Sequence, residues 1–423
     1  MLSNLYQSSS NFHVIPLKSD LRKDTLIGAE IAFNYNADGG DDSRLSRRLI
    51  DVKDLTESDL SLLRQALFEH SVIIFRNQQG VDPNTLPLLA AIWDDQVQSH
   101  HSGEIAALTA TNNILSKNNA ARIPRAKEVT ILGQGSFDGY EGIPTLRLRH
   151  VNHLEFHDQP LSQEELGQGY TRFYRFHCDA PLYEKLPGKV TILHALKVPK
   201  SPRQKIKFEN GQELELDAGA TAFVSGARAF QLLTPEEQEF ALNTIVQYAP
   251  RPYEWIQNCK ATSDGLSIVT TGLEKPLEEL TPWDPEKVQA HPMVWKNPLF
   301  PDRPHLQILG MCVKSLITID PKTKERKVID DLAEVRKICH SFQKKSMAPS
   351  YIYAHTWRDG DLVAFHNQGV WHTITGQLGD DDERETTDAT EIARREVNKR
   401  LMWQCTMASG VPPEPFNQML KTF

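Results

Sequence analysis

The 423-residue sequence contains no apolar run that approaches the roughly 20 residues a helix needs to cross a membrane. The segment from Met1 to Phe12 is polar and lacks the apolar core of a secretion signal. Cysteine is scarce too: the five cysteines are far apart and include no Cys-x-x-Cys pair, which suits neither a disulfide framework nor a zinc knuckle. We therefore expect a protein of the cytoplasm with no membrane partner.

Clusters of positive charge are also missing. The chain has 47 Lys and Arg against 55 Asp and Glu, a formal net charge of −8, and its basic residues are scattered. A nucleic-acid-binding face needs a concentrated basic patch, so we expect no nucleic-acid partner. A small molecule is the expected partner, and nothing in the sequence indicates an oligomeric state.

Short strands and a few helices are what the local patterns predict. Thr56 and Asp59 form a capping-box pattern that opens a helix, and the apolar run 72–75 after it is typical of a buried strand. Further strands are predicted in the middle of the chain, at 189–198, 212–216 and 221–225. Regularly spaced short strands favour a β-sandwich or jelly roll, so the predicted fold class is mainly β with flanking helices (α+β).

We expect residues 1–423 to form a single domain with two additions. Residues 227–345 are predicted to be an insertion of helices and loops over the core, with one helix opening at Thr234. Residues 377–396 include the acidic run 380–385 and are predicted to be an exposed surface loop.

Three histidines in one short segment could bind a metal ion. His150, His153 and His157 follow helical spacing, which would align them along one face as zinc ligands. No carboxylate or cysteine stands at the offset of a known zinc motif beside them. A zinc hydrolase built on these residues stays open as an alternative of a different class.

A second group of metal ligands is spread over a longer stretch of chain. His177 and Asp179 are two residues apart in an extended segment, so their side chains would share one face of a strand. His372 follows far downstream, after a predicted turn and strand. Two histidines and one carboxylate form the facial triad of non-haem Fe(II) oxygenases, which leaves coordination positions open for other ligands. We predict that these three residues bind the metal and form the catalytic centre.

Four segments, in this order, resemble the taurine-dioxygenase-like family of Fe(II)/2-oxoglutarate dioxygenases: LRQALFEHSVIIFRNQ, HCDAPLY, GATAFVSG and DGDLVAFHNQGVWH. The resemblance implies a double-stranded β-helix, or jelly roll, with helices packed outside. It also implies an enzyme that uses Fe(II), 2-oxoglutarate and O₂ to hydroxylate a small metabolite, with release of succinate and CO₂. A non-catalytic jelly-roll binding protein of the cupin type is the other alternative of a different class.

The same resemblance implies a site for 2-oxoglutarate. Thr221 matches the family's hydroxyl, and an arginine near the end of the chain should hold the distal carboxylate through a fork of charge-assisted hydrogen bonds. Arg384 stands at the usual offset after the distal histidine but lies in the acidic run. We therefore select Arg400, which opens a strand-like segment, with Arg394 and Arg395 as competitors.

Gln404 indicates the charge of the substrate. In taurine-oxidising members an arginine at this position holds a sulfonate, whereas an amide does not neutralise an anion, so a neutral substrate is expected. Segments such as GYTRFYRFHCDAPLYEKLPGKVT and HPMVWKNP resemble the fungal xanthine dioxygenases, which implies conversion of xanthine to urate. Thr406 stands where that branch has an amide. Gln404 and Thr406 are the predicted substrate contacts, and an amino acid such as glutamate is the alternative substrate.

Overall fold

A computed structural model describes residues 8–18, 24–34, 48–99, 114–115, 120–378 and 386–422. The strands in this part of the chain are β1 (Phe12–Pro16), β2 (Ala29–Phe33), β3 (Val72–Phe75), β4 (Val97–Gln98), β5 (Ala121–Ile123), β6 (Ala126–Ser136), β7 (Arg147–Leu148), β8 (Val190–Lys197), β9 (Gln204–Lys207), β10 (Glu213–Leu216), β11 (Thr221–Ser225), β12 (Thr244–Tyr248), β13 (Ala290–Pro292), β14 (Val294–Lys296), β15 (Pro304–Leu306), β16 (Val313–Ile319), β17 (Arg326–Ile329), β18 (Ile352–His355), β19 (Leu362–His366), β20 (Val370–Ile374), β21 (Arg400–Thr406) and β22 (Ala408–Ser409).

Helices flank these strands, so the predicted class, mainly β with flanking helices, is confirmed. The described residues form α1 (Glu57–His70), α2 (Thr85–Trp93), α3 (His153–Phe156), α4 (Gln163–Gly167), α5 (Gly226–Gln231), α6 (Pro235–Leu242), α7 (Pro252–Trp255), α8 (Leu332–Lys344) and α9 (Ala389–Asn398). None of the helices in this part of the chain is long and apolar enough to span a membrane.

Local sequence signals set the start of several helices. At α1 the Thr56 hydroxyl accepts the Asp59 N–H at 3.2 Å, and the Asp59 carboxylate accepts the Thr56 N–H at 2.8 Å. This reciprocal pair satisfies backbone donors that a helix start otherwise leaves open. Thr234 and Glu237 form the same arrangement at α6. The predicted helix after Thr56 and the strand 72–75 are confirmed.

The larger sheet has the strand order β1-β2-β3-β19-β8-β21-β6-β5, with β7 paired to the end of β6. Its neighbouring strands are antiparallel, except that β2 runs parallel to β3. Helices α1 and α2 cover one face of this sheet through a cluster of buried apolar side chains that includes Leu63, Leu67, Leu89 and Trp93. Burial of this apolar surface ties the N-terminal helices to the sheet.

A smaller antiparallel sheet, β18-β11-β20, faces the larger one. Phe223 and Val370 of the smaller sheet pack in one buried cluster with Phe365 and Met402 of the larger sheet. The extended chain before Asp179 adds to the edge of β20 through isolated bridges, one of which pairs His177 with His372. The candidate site therefore lies where the two sheets face each other.

Residues 227–345 contain strands that the sequence prediction of helices and loops did not include. Strands β13, β12, β16 and β17 form a four-stranded antiparallel sheet beside helices α6 and α8. Val246 and Leu316 of this sheet share a buried cluster with Val224 and Trp371 of the smaller sheet. The prediction missed these strands because several are only three or four residues long and show no clear alternation.

Residues 377–396 were predicted to be a surface loop, and this is wrong for the part that forms α9; residues 379–385 lie outside the described residues. The Asp388 carboxylate caps α9 by accepting the Thr390 N–H at 2.8 Å. Glu391 then pairs with Arg394 and Arg395, three and four residues later. A charged composition alone is typical of a solvated loop. Here the charged residues stand three and four positions apart, so they form ion pairs that stabilise a surface helix.

Candidate active site

Three side chains from distant parts of the chain meet between the sheets: His177, Asp179 and His372. Their ligand atoms lie within 4.8 Å of one another, and no other such group of three His, Cys, Asp or Glu occurs among the described residues. The Asp179 carboxylate is 3.5 Å from His177 Nε2 and 3.7 Å from His372 Nε2. Ligands about 2 Å from one ion are separated by distances of this size, so the donor set fits a divalent metal such as Fe(II).

Hydrogen bonds orient these ligands. His177 Nδ1 lies 2.9 Å from the Arg175 carbonyl oxygen. Donation from Nδ1 to that oxygen leaves the Nε2 lone pair directed at the site, which is the usual arrangement of a metal-binding histidine. Asn367 fixes the main chain of Asp179, because its side chain accepts the Asp179 N–H at 2.7 Å and donates to the Asp179 carbonyl at 2.8 Å.

The pKa values of the three groups also suit metal binding. Burial is the main cause that lowers the pKa of both histidines, and the pKa of His372 falls to about 3. Burial acts to raise the pKa of Asp179, but the facing imidazoles of His372 and His177 lower it below its usual range. At neutral pH the site therefore offers two neutral imidazoles and one carboxylate, the charge states in which these groups bind a metal.

Arg400 is the first residue of β21 and is only 2% exposed. Its side chain has no hydrogen bond or ion pair among the described residues, and burial lowers its pKa to about 10. Gly219 makes room for it, because a Cβ at that position would lie 3.2 Å from both Cδ and Nε of Arg400. A buried cation without a counter-ion is costly, so this position suits an anionic ligand.

Thr221 lies two residues after Gly219, on β11, and is buried. Its Oγ1 accepts a hydrogen bond from Trp357 Nε1 at 3.1 Å. Because the indole N–H can only donate, the Thr221 hydroxyl proton remains available for an acceptor such as a carboxylate.

The competing arginines are placed differently. Arg394 and Arg395 lie on the exposed helix α9 and both pair with Glu391. Arg384 lies outside the described residues. Arg400 alone of the four candidates is shown to be buried in the sheet that faces the metal-ligand group.

Gln404 and Thr406 follow on the same strand. Gln404 Nε2 lies 3.4 Å from an Asp179 carboxylate oxygen, so its amide reaches the metal-ligand group. Thr406 is buried opposite Thr191 of β8, and the described residues show no hydrogen bond from it to the three ligands.

His150, His153 and His157 do not converge on a common point. His150 Nε2 bonds the Thr375 carbonyl at 2.7 Å and His157 Nε2 bonds the Tyr174 carbonyl at 3.0 Å. Burial is the main cause that lowers their pKa values, to about 3 for His150 and His153 and about 4 for His157. They are neutral buried side chains, and the zinc-site alternative finds no support in their geometry.

Sequence patterns did not identify Asn367, Trp357 or Arg175 as site residues. Asn367 forms a hydrogen bond with Asp179, and Trp357 forms one with Thr221, each across a long stretch of sequence. No local pattern could therefore reveal them. Arg175 stands two residues before His177, and this period-two spacing was the one available signal.

Comparisons with known proteins identify the family of the chain. The family model described as taurine catabolism dioxygenase TauD, TfdA family, matches residues 42–390. The chain is 38% identical to the alpha-ketoglutarate-dependent xanthine dioxygenase xanA of Emericella nidulans, over 87% of this chain and 93% of that protein. It is 35% identical to xan1 of Schizosaccharomyces pombe, which carries the same description, over 86% and 84% of the two proteins. The alpha-ketoglutarate-dependent dioxygenase bsc9 of Alternaria brassicicola is 28% identical over 77% and 83%.

These likenesses and the ligand group define a non-haem dioxygenase that uses 2-oxoglutarate, and its family implies Fe(II) and O₂ as well. The chain belongs to the TauD/TfdA family of dioxygenases.

Proposed function

We propose that this dioxygenase hydroxylates xanthine to urate. The choice of xanthine rests on sequence identity: the chain is 38% and 35% identical, over most of its length, to two proteins described as xanthine dioxygenases. In the balanced reaction one oxygen atom of O₂ enters a C–H bond of xanthine. The other oxygen atom enters succinate, which forms as 2-oxoglutarate loses CO₂.

His177, Asp179 and His372 hold the iron in this proposal, and the bound Fe(II) supplies the activation of O₂. Arg400 and Thr221 hold the distal carboxylate of 2-oxoglutarate. The buried guanidinium without a counter-ion and the hydroxyl proton left free by Trp357 support this role. Together these residues fix the cosubstrate at one end while leaving its other end free to reach the metal.

Gln404 reads the substrate through its amide. Its position 3.4 Å from the Asp179 carboxylate supports a contact with a molecule bound beside the metal. A purinedione presents both N–H donors and carbonyl acceptors, which an amide can match. Thr406, further along the same strand, is the second residue proposed to shape this contact.

The two facing sheets are proposed to form the double-stranded β-helix of the family, within one domain that spans the chain. The buried cluster that joins β11 and β20 to β19 and β21 supports this arrangement. The cytoplasmic location and the lack of nucleic-acid and membrane partners stay predictions from composition.

The test is substrate-dependent succinate release. Enzyme loaded with Fe(II) and 2-oxoglutarate without oxygen is exposed to air with xanthine, other purines, glutamate or other amino acids. We expect xanthine to give equal amounts of succinate and urate, and Asp179→Ala to give neither. Enzyme that is silent on every purine but active on an amino acid would overturn the proposed substrate while leaving the reaction class intact.

A further inference from the structure

Three arginine side chains are more than nine-tenths buried in the described part of the chain: Arg175, Arg336 and Arg400. Arg336 pairs with Glu274, and Arg400 lies where the distal carboxylate of 2-oxoglutarate is proposed to bind. Arg175, at 6% exposure, forms no ion pair with the described residues; its side chain bonds the Tyr253 hydroxyl, and its Nε is buried without a partner. The reaction as proposed above assigns no role to this cation.

Arg175 lies beside the metal ligands. Its carbonyl accepts from His177 Nδ1, and its guanidinium carbon is 5.2 Å from the centre of the Tyr253 ring. The Tyr253 hydroxyl donates to the carbonyl of Ala180, the residue after Asp179, at 2.6 Å. After burial, the charge of Arg175 is the next cause that lowers the pKa of His177.

The contact with Tyr253 orients the guanidinium but does not neutralise it. The face of the Tyr253 ring attracts the cation and the Tyr253 hydroxyl accepts one hydrogen bond, which leaves most of the five N–H donors of the arginine to other acceptors. A buried guanidinium needs several oxygen acceptors, preferably charged ones, and among the described residues its Nε has no acceptor and no carboxylate pairs with it. A ligand must therefore supply them.

The reaction brings two organic molecules to the site. Arg400 accounts for the distal carboxylate of 2-oxoglutarate, which leaves the other molecule for Arg175. A purinedione has ring N–H groups flanked by carbonyls, and loss of such a proton spreads negative charge over the carbonyl oxygens. These oxygens match the planar donor fork of an arginine.

Resting on the proposed function, we propose that Arg175 binds the substrate directly and selects a weakly acidic oxo-heterocycle by donating hydrogen bonds to its carbonyl oxygens. Gln404 then reads the hydrogen-bonding pattern of the ring, while Arg175 supplies the charge. The substrate class is thus one whose oxygens carry negative charge, in contrast to the fully neutral ligand that Gln404 alone would indicate.

The test is a xanthine titration of enzyme that holds Fe(II) and 2-oxoglutarate without oxygen, followed by the visible absorption of that complex. Arg175→Gln should weaken xanthine binding about 10- to 100-fold, and Arg175→Lys, which keeps the charge but loses the fork, should lose less. In turnover, KM for xanthine should rise more than kcat falls. The affinity for 2-oxoglutarate should change less than about twofold, since Arg400 holds that molecule.

Arg172→Gln is the matched control. Arg172 lies three residues before Arg175 and is partly buried, and its charge lowers the pKa values of His153 and His157. It should leave xanthine affinity within about twofold of the wild type. If Arg175→Gln weakens 2-oxoglutarate instead of xanthine, or neither, the inference is wrong.

The substrate proposal and this inference can fail separately. If wild-type enzyme ignores xanthine but releases succinate with another compound, the proposed function fails. The inference then holds only if that compound carries an anionic or carbonyl oxygen and Arg175→Gln weakens its binding at least tenfold. Wild-type enzyme that turns over no oxo compound overturns both.

Discussion

Asp179 supplies the one carboxylate of the metal-ligand group, while its backbone is held independently by Asn367. Its side chain lies against the two histidines, Gln404 and the hydroxyl of Thr191, all of them polar groups. Removing the carboxylate therefore removes a ligand without removing a contact of the hydrophobic core. Metal binding and folding can be separated at this residue.

Asp179→Ala should reduce Fe(II) affinity by more than about 100-fold, because two imidazoles cannot form the facial set alone. Xanthine-dependent succinate release should fall to background, and the melting temperature of the metal-free protein should stay within a few degrees of the wild type. Iron content after gel filtration measures the first effect. His340→Ala alters a histidine that pairs with Asp264 and is not one of the three ligands; it is the control and should retain iron.

Arg400→Gln should raise the 2-oxoglutarate concentration needed for half-maximal rate about 10- to 100-fold, since a charge-assisted contact is worth roughly 1.5–3 kcal/mol. The ligand-free variant should be no less stable than the wild type, because it no longer buries an unpaired cation. Thermal unfolding and steady-state kinetics measure the two effects. Arg395→Gln, on the exposed helix α9, is the control; a larger kinetic effect there than at Arg400 would show that the wrong arginine was assigned.

Pairing between β20 and the extended segment before Asp179 brings the ligands together. His177 and His372 exchange backbone hydrogen bonds of 2.9 and 2.8 Å. Asn367, in the turn between β19 and β20, then reaches Asp179 across 188 positions of sequence and also donates to Gly188 at 2.9 Å. One short turn therefore fixes the loop that follows the metal pair.

Asn367→Ala should lower Fe(II) affinity about 10- to 100-fold without touching a ligand, because the loop that carries Asp179 loses its support. The same change should cost stability of order 1–3 kcal/mol, since it leaves buried backbone groups of Asp179 unpaired. Iron titration and urea unfolding measure the two. If the variant is destabilised but binds iron as tightly as the wild type, Asn367 contributes to the fold and not to metal binding.

Elements with a strong local signal could be predicted from the sequence, and elements set by distant contacts could not. The capping box at Thr56 predicted the start of helix α1, and the apolar run 72–75 predicted strand β3. The spacing of His177 and Asp179 was equally local, whereas the support from Asn367 and Trp357 depends on tertiary contacts. The helix α9 was missed because the loop prediction rested on the acidic run 380–385 and was extended to residue 396, although Glu391 stands three and four residues before Arg394 and Arg395.

The molecule as a whole is held by two facing sheets, with helices α1 and α2 against the larger sheet and residues 227–345 against the smaller. The metal ligands come from one side of this arrangement, and Arg400 and Gln404 come from the strand β21 of the other. Ligands that bind both sides should therefore stabilise the whole fold against unfolding.

Mn(II) and 2-oxoglutarate together should raise the melting temperature in the absence of turnover. At 100 times its dissociation constant a ligand adds about 2.7 kcal/mol, which amounts to a shift of a few degrees in a protein of this size. In Arg400→Gln the 2-oxoglutarate part of the stabilisation should fall to about 0.4–1.4 kcal/mol, because the same concentration is then only about 1 to 10 times the raised dissociation constant; the Mn(II) part should nearly vanish in Asp179→Ala. A 2-oxoglutarate shift that is undiminished in Arg400→Gln would place the cosubstrate elsewhere.

The fate of molecular oxygen distinguishes a 2-oxoglutarate-dependent xanthine dioxygenase from an enzyme that takes the new oxygen of urate from water. Wild-type enzyme is supplied with Fe(II), 2-oxoglutarate, xanthine and ¹⁸O₂. The reaction is quenched early, and the ¹⁸O content of its products is measured by mass spectrometry. We expect equal amounts of succinate and urate, with one ¹⁸O atom in succinate and ¹⁸O incorporated into urate. Urate whose new oxygen comes only from water, formed without labelled succinate, would contradict it.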